Sequence, residues 1–125
     1  GRHTPNPGDY YTILYGNKGI KVAKVLAVDA VGFHLRIFAN EYTERPASID
    51  PALLQLGFVP EDPEANGLGV FLEALSDGAF FGTGHMPVRT ETFRSMEPVF
   101  IQEGEVNEEE LEGFYEWENA NGGYW

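Results

Sequence analysis

Cysteine does not occur in this 125-residue chain. That removes a disulfide scaffold, a thiolate metal site and a cysteine nucleophile together. It also suits a reducing compartment, and the cytoplasm is the expected location. No apolar run approaches the roughly 20 residues needed to cross a bilayer, and the amino end has no basic-then-apolar leader pattern. Serine is scarce, and none of Ser48, Ser76 or Ser95 sits in a G-x-S-x-G elbow. Positive charge runs out along the chain. Residues 1–60 hold Arg2, Lys18, Lys21, Lys24, Arg36 and Arg45 against five acids, whereas residues 61–125 hold Arg89 and Arg94 against fifteen. After Arg94 come nine glutamates and no lysine or arginine. Nucleic-acid backbones and anionic membranes both reward clustered Lys/Arg, so neither is an expected partner. A basic protein is.

The formal net charge is −12 and aromatics make up 14% of the residues, too many for a disordered chain. The length suits one domain over residues 1–125 with a single core. Fifteen glycines and eight prolines imply many turns, hence an α+β fold dominated by antiparallel strands with one or two short helices. A three-stranded meander is expected, with strands at residues 9–15, 20–28 and 33–42. The first turn, Gly16-Asn17-Lys18-Gly19, tolerates positive φ. In the third strand Phe33, Leu35, Ile37 and Ala39 point one way and His34, Arg36, Phe38 and Asn40 the other. Lys24 interrupts the more apolar face of the second.

Further on, residues 48–56 read as a short helix with Asp50 as cap and Pro51 at its first position. Residues 59–68 read as a loop, the best candidate for a mobile or variable insertion and an alternative to the carboxy-terminal helix as the contact surface. Residues 70–75 fit strand or helix, 79–88 a strand broken by glycines, 90–96 one or two helical turns, and 98–102 another strand.

Catalytic signals are weak. His34 and His85 lie 51 residues apart, and neither has a second ligand at helix or strand spacing, so no metal or cofactor is expected. Gly82-Thr83-Gly84 lacks the lysine of a phosphate loop. The protein is read as a non-enzyme. The alternatives are a self-associating domain that uses sheet edges or Tyr124-Trp125, and a small-ligand or enzymatic site around His85 and residues 10–15.

The carboxy end carries the clearest pattern. Asn107 is a helix cap with Glu110 as its capping-box partner, and Gly122-Gly123 is the expected stop. On a wheel of residues 107–118, Leu111, Phe114, Tyr115 and Trp117 span roughly 160° and form a core-facing stripe. Glu108, Glu109, Glu112 and Glu116 span about 100° on the other side. Like charges at i, i+4 and i+8 oppose helix formation unless a basic group meets them. These four acids, flanked by Trp117, Tyr124 and Trp125 as aromatic anchors, form the expected partner-binding site.

Gly8-Asp9-Tyr10, the strand at 20–28 and the segment 82–88 together resemble the immunity protein twenty-six family of bacterial polymorphic-toxin systems. The match covers about half the chain and leaves out residues 57–69 and the acidic end. It implies a strongly twisted antiparallel sheet, partly rolled with SH3-like barrel character, to which the capping and periodicity of the carboxy end add a C-terminal amphipathic helix. It also implies a monomeric cytoplasmic protein that neutralises a basic toxin by occluding its active site.

Overall fold

The computed structural model describes residues 3–16, 19–57 and 82–125. Alternation of apolar and polar side chains yields β1 (Tyr10–Leu14), β2 (Ile20–Val28), β3 (Gly32–Ile37), β4 (Thr83–Arg89) and β5 (Val99–Gln102). They form one open antiparallel sheet in the order β4-β3-β2-β1-β5. The first four strands are a meander, and β5 pairs with the free side of β1. The register shifts at β1/β5, β2/β3 and β3/β4, breaks in the ladder of the kind that β-bulges make. Bulges of this kind increase local twist.

Both faces of the sheet are covered. One buries Tyr11, Ile13, Ala23, Val25, Leu35, Ile37 and Val88 beneath Phe93 and Met96, which come from α1 (Thr90–Ser95) and its cap. The other buries Tyr10, Val22 and Phe38 against Tyr42, Ile49, Leu54 and Leu56 of the 40–57 segment. The rest of this second face, across β3 and β4, lies under the carboxy-terminal helical segment. That segment is a 3-10 turn (Glu108–Leu111) leading directly into α2 (Glu112–Asn119).

Several expectations are corrected. The third strand ends at Ile37, and Tyr42 makes an isolated bridge to Ile20. Residues 48–56 form a single 3-10 turn, Pro51–Leu53, because Leu54 already has extended backbone. Asp50 does cap it, accepting from the Ala52 N–H at 3.0 Å. Asn121, not Gly122, takes the left-handed conformation that ends α2, with φ 53°. Gly122 serves a different need: a Cβ there would overlap the Trp117 ring. The expectations for Asn17, Lys18, residues 59–68 and residues 70–75 lie outside the described residues.

The chain's last residue finishes the β4 edge. Trp125 donates its N–H to the Pro87 carbonyl at 2.9 Å and accepts from the Arg89 N–H at 3.0 Å. Proline is tolerated at position 87 because its nitrogen points off the sheet. The tail thus covers edge groups that would otherwise be open to another strand.

Candidate partner-binding face and the cluster beneath it

The acidic segment is held by one of its own glutamates. On the helical wheel Glu110 falls among the apolar residues, and the 3-10 turn carries it to the sheet over Lys24. Lys24 Nζ donates to both Glu110 carboxylate oxygens, at 2.8 and 3.1 Å, with side chains 5% and 13% exposed. Lys24 also lies 5.3 Å above the Tyr10 ring, and its register partner on β3 is Arg36. Glu110 additionally accepts from the Asn107 N–H at 3.0 Å, which fixes the start of the helical segment. Burial alone would raise the Glu110 pKa. The Asn107 N–H, the Lys24 bond and the fields of Lys24 and Arg36 outweigh it and set it below the ordinary value.

Glu108, Glu109, Glu112 and Glu116 are all exposed. Among the described residues, no lysine or arginine forms an ion pair with any of them. Lys21 is buried and donates to the Ala39 carbonyl at 2.9 Å, and Lys18 lies outside the described residues. The four acids are therefore all open to solvent along a docked helical segment, Glu108 and Glu109 on its 3-10 turn and Glu112 and Glu116 on α2. Their field reaches Tyr115, whose hydroxyl is held above its ordinary pKa by Glu108 first, then by slight burial, its bond to Glu108 and the charge of Glu118.

The aromatic residues divide differently from the expectation. Leu111, Phe114 and Trp117 are half-buried, but Tyr115 is 43% exposed and bonds Glu108 at 3.4 Å. Its place at the margin of the apolar arc leaves it beside the acids. Trp117 and Tyr124 serve the fold itself. Trp117 donates its indole N–H to the Gly123 carbonyl at 2.9 Å and packs edge-on to His34 and Tyr124. Trp125 is 71% exposed while its backbone is engaged on β4. The exposed rings at this end are thus Tyr115 and Trp125.

Beneath the helix lies a cluster that sequence spacing did not reveal. His34, fully buried, bonds Asp29 Oδ2 through Nε2 at 2.8 Å and His85 Nε2 through Nδ1 at 2.9 Å. The Tyr124 hydroxyl donates to the same Asp29 oxygen. The N–H groups of Val31 and Gly32 donate to Asp29 Oδ1, each at 2.9 Å. Burial would raise Asp29, but the bonds from His34, Tyr124, Gly32 and Val31 outweigh it and hold the carboxyl far below its usual range. An ionised Asp29 only accepts, so His34 Nε2 carries a proton. The second bond joins His34 Nδ1 and His85 Nε2, one of which donates and the other accepts. His85 is pushed down to about 4, by burial first and by His34 second. Tyr124 is pushed up to about 12, by burial, by its bond to Asp29 and by that residue's charge.

This Asp29–His34–His85 chain, closed by Tyr124, ties the 29–32 turn, β3, β4 and the tail together. His85 is stacked on His34 and meets Phe114 and Trp117 edge-on. Beside it opens a hollow of about 410 Å³, lined by Tyr15, Thr83, Met86 and Trp125. Among the described residues no group of three or more acids and histidines is arranged to hold a metal ion. Among the described residues, Asp29 is the single carboxylate bonded into the cluster, and it reaches His85 through His34. The arrangement clamps the tail and disfavours the charged form of His85.

Among the described residues, no helix is long and apolar enough to cross a membrane. Compared with family models, curated proteins and solved structures, the chain finds no match.

Proposed function

We propose that this protein is a binding module for a basic protein partner, held through Glu108, Glu109, Glu112 and Glu116 with Tyr115 and Trp125 as flanking rings. One observation carries the reading: these carboxylates are exposed and have no basic partner among the described residues, while Glu110 of the same segment is taken by Lys24. A focused negative field steers a basic surface into encounter, and exposed aromatics supply short-range contact. The resemblance at residues 8–10, 20–28 and 82–88 narrows the partner to a bacterial toxin whose basic active-site cleft is occluded. The partly rolled sheet that this resemblance implies would draw on the register shifts in three of the four pairings, since irregularities of that kind add twist.

The test starts from the product of the adjacent reading frame. Its carboxy-terminal domain, expressed in a bacterial host, is expected to arrest growth, and co-expression of this chain to restore it. The double variant Glu112→Lys/Glu116→Lys is expected to keep its fold and associate several-fold more slowly at low salt, roughly the loss that removing steering charges produces. Failure of the chain to rescue growth refutes the toxin reading. An association rate indifferent to both salt and these reversals refutes the electrostatic one.

Self-association through the β4 edge is less favoured, because Trp125 already uses the Pro87 and Arg89 backbone there.

A further inference from the structure

On the face opposite the acidic helix, a cleft of about 860 Å³ opens between the amino-terminal lead-in, α1 and β5. Its walls are unusually rich in rings. His3 stacks on Phe100 at 3.7 Å between centroids, and Tyr11 stands edge-on to Phe93 at 5.3 Å and to Phe100 at 5.7 Å. Phe33 closes the side, 5.0 Å from Phe93. Surfaces of this kind accept a flat π-system by stacking and edge contact.

Two polar groups in this lining are open to a guest: a buried hydroxyl without a partner and an exposed guanidinium without an ion pair among the described residues. Tyr11 is 3% exposed, and its hydroxyl has no hydrogen-bond partner among the described residues. A buried donor left alone is unfavourable, and in native folds it normally has a partner. Burial first, and the charge of Asp9 second, push its pKa up to about 12, so it keeps its proton and acts as a donor. At the rim, Arg94 is exposed and forms no ion pair among the described residues. Glu97 on the same rim disfavours guests bearing more than one negative charge.

We infer that this cleft is a binding site for a flat aromatic monocarboxylate. The ring lies among His3, Phe33, Phe93 and Phe100, one carboxylate oxygen accepts from the Tyr11 hydroxyl, and Arg94 balances the charge. The site is independent of the acidic helix and stands whether or not a protein partner binds there.

The probe is indole-3-acetate, titrated into the full isotope-labelled chain and followed by amide chemical shifts. Saturable shifts are expected at Tyr11, Phe93 and Phe100 and not across α2, with a dissociation constant on the order of 1 mM or tighter for a guest of this size. Tyr11→Phe should weaken binding roughly tenfold, the worth of one hydrogen bond to a charged acceptor. The same variant should leave the probe-free protein as stable as before or more so, because it deletes an unpartnered hydroxyl. Arg94→Gln should weaken indole-3-acetate but not the neutral indole-3-acetamide. The proposal is overturned if no saturable shift appears, or if Tyr11→Phe binds as well as the parent chain. It is also overturned if residues outside the described ones give cross-peaks to the Tyr11 ring without probe, since those from Phe93 and Phe100 are expected anyway and any others would show that the protein fills its own cleft.

Discussion

Replacing Glu110 with glutamine separates two jobs done by one side chain. Glutamine retains an oxygen for the Asn107 N–H, so the start of the helical segment is preserved. What it removes is the negative charge over Lys24. Lys24 Nζ lies 2.8 and 3.1 Å from the Glu110 oxygens, on a side chain only 5% exposed. At an effective dielectric of about 20, charges about 3 Å apart attract by roughly 5 kcal/mol, and much of that offsets the desolvation of both groups. The net worth of the pair is therefore modest, but removing one partner leaves the other charge stranded.

For fully buried pairs such stranding costs about 3–5 kcal/mol. Here Glu110→Gln should cost about 3 kcal/mol, because Lys24 stays buried beside Arg36 with a neutral amide oxygen and the Tyr10 ring in place of a carboxylate. Lys24→Met should cost less, about 2 kcal/mol, because Glu110 keeps the Asn107 N–H and the Arg36 field and is nearer to water. The double variant should be more stable than the sum of the two losses by at least about 1 kcal/mol. Urea denaturation of all four proteins at neutral pH measures this cycle, and amide exchange in Glu112–Asn119 reports whether the loss is local to the docked helix. If Glu110→Gln changes stability by no more than about 0.5 kcal/mol, an ordinary surface effect, the pair does not anchor the segment.

Acidification should weaken the fold in two stages. His85 sits at about 4 when folded, against an ordinary 6.5, so the unfolded chain takes up a proton that the folded chain refuses. Its contribution is complete above about pH 6.5 and is lost between there and about pH 4. Because the ring is partly exposed, this amounts to roughly 1–2 kcal/mol after screening. Facing it are His34 with Asp29 behind it on one side, and the uncharged Phe114 and Trp117 rings on the other. Asp29 and Glu110, both held below their ordinary values, lose their contributions only at lower pH. Urea midpoints across this range should fall, and His85→Phe should flatten the upper stage; an unchanged profile in that variant would exclude His85 as its source. Separately, Gly113→Ala should destabilise by about 1–3 kcal/mol despite alanine's better helix propensity. A Cβ there would stand 2.9 Å from the His85 Cβ, so the helix would have to lift off β4. Thermal denaturation showing a gain instead would mean that the helix is not seated as described.

Much of the fold was legible because its signals are local. Period-two alternation located β2 with correct ends, and it assigned His34 and Arg36 to one face and Leu35 and Ile37 to the other. Asp50-Pro51 and Asn107 with Glu110 marked helical starts for the same reason. Two clues to the Lys24–Glu110 pair were also present: a lysine interrupting an apolar strand face, and a glutamate among apolar neighbours on the helical wheel. Their union depends on which sheet face the helix covers, and that is tertiary information. The His34–His85 contact was hidden for the same reason, since strand pairing closes a 51-residue separation. Helix ends misled where two residue types compete: Asn121 adopts the left-handed turn, while Gly122 is needed for space against Trp117.

The free acids and the docked helix are energetically separable, and this makes the proposed function testable. Like charges at Glu108, Glu112 and Glu116 cost roughly 0.2–0.5 kcal/mol per adjacent pair. Burying rings such as Phe114 and Trp117 returns about 1.5–3 kcal/mol for each fully covered side chain, and somewhat less when half-covered. Docking and the Glu110 anchor therefore exceed the repulsion, and the fold does not need the outward carboxylates. Converting Glu112 and Glu116 to lysine should relieve repulsion with Glu108 and leave the helix as stable as before or slightly more so. A surface kept only for solubility would tolerate that change without consequence. A surface kept for a basic partner would lose association speed while the protein itself became no less stable, and those opposite movements of binding and stability are what distinguish the two.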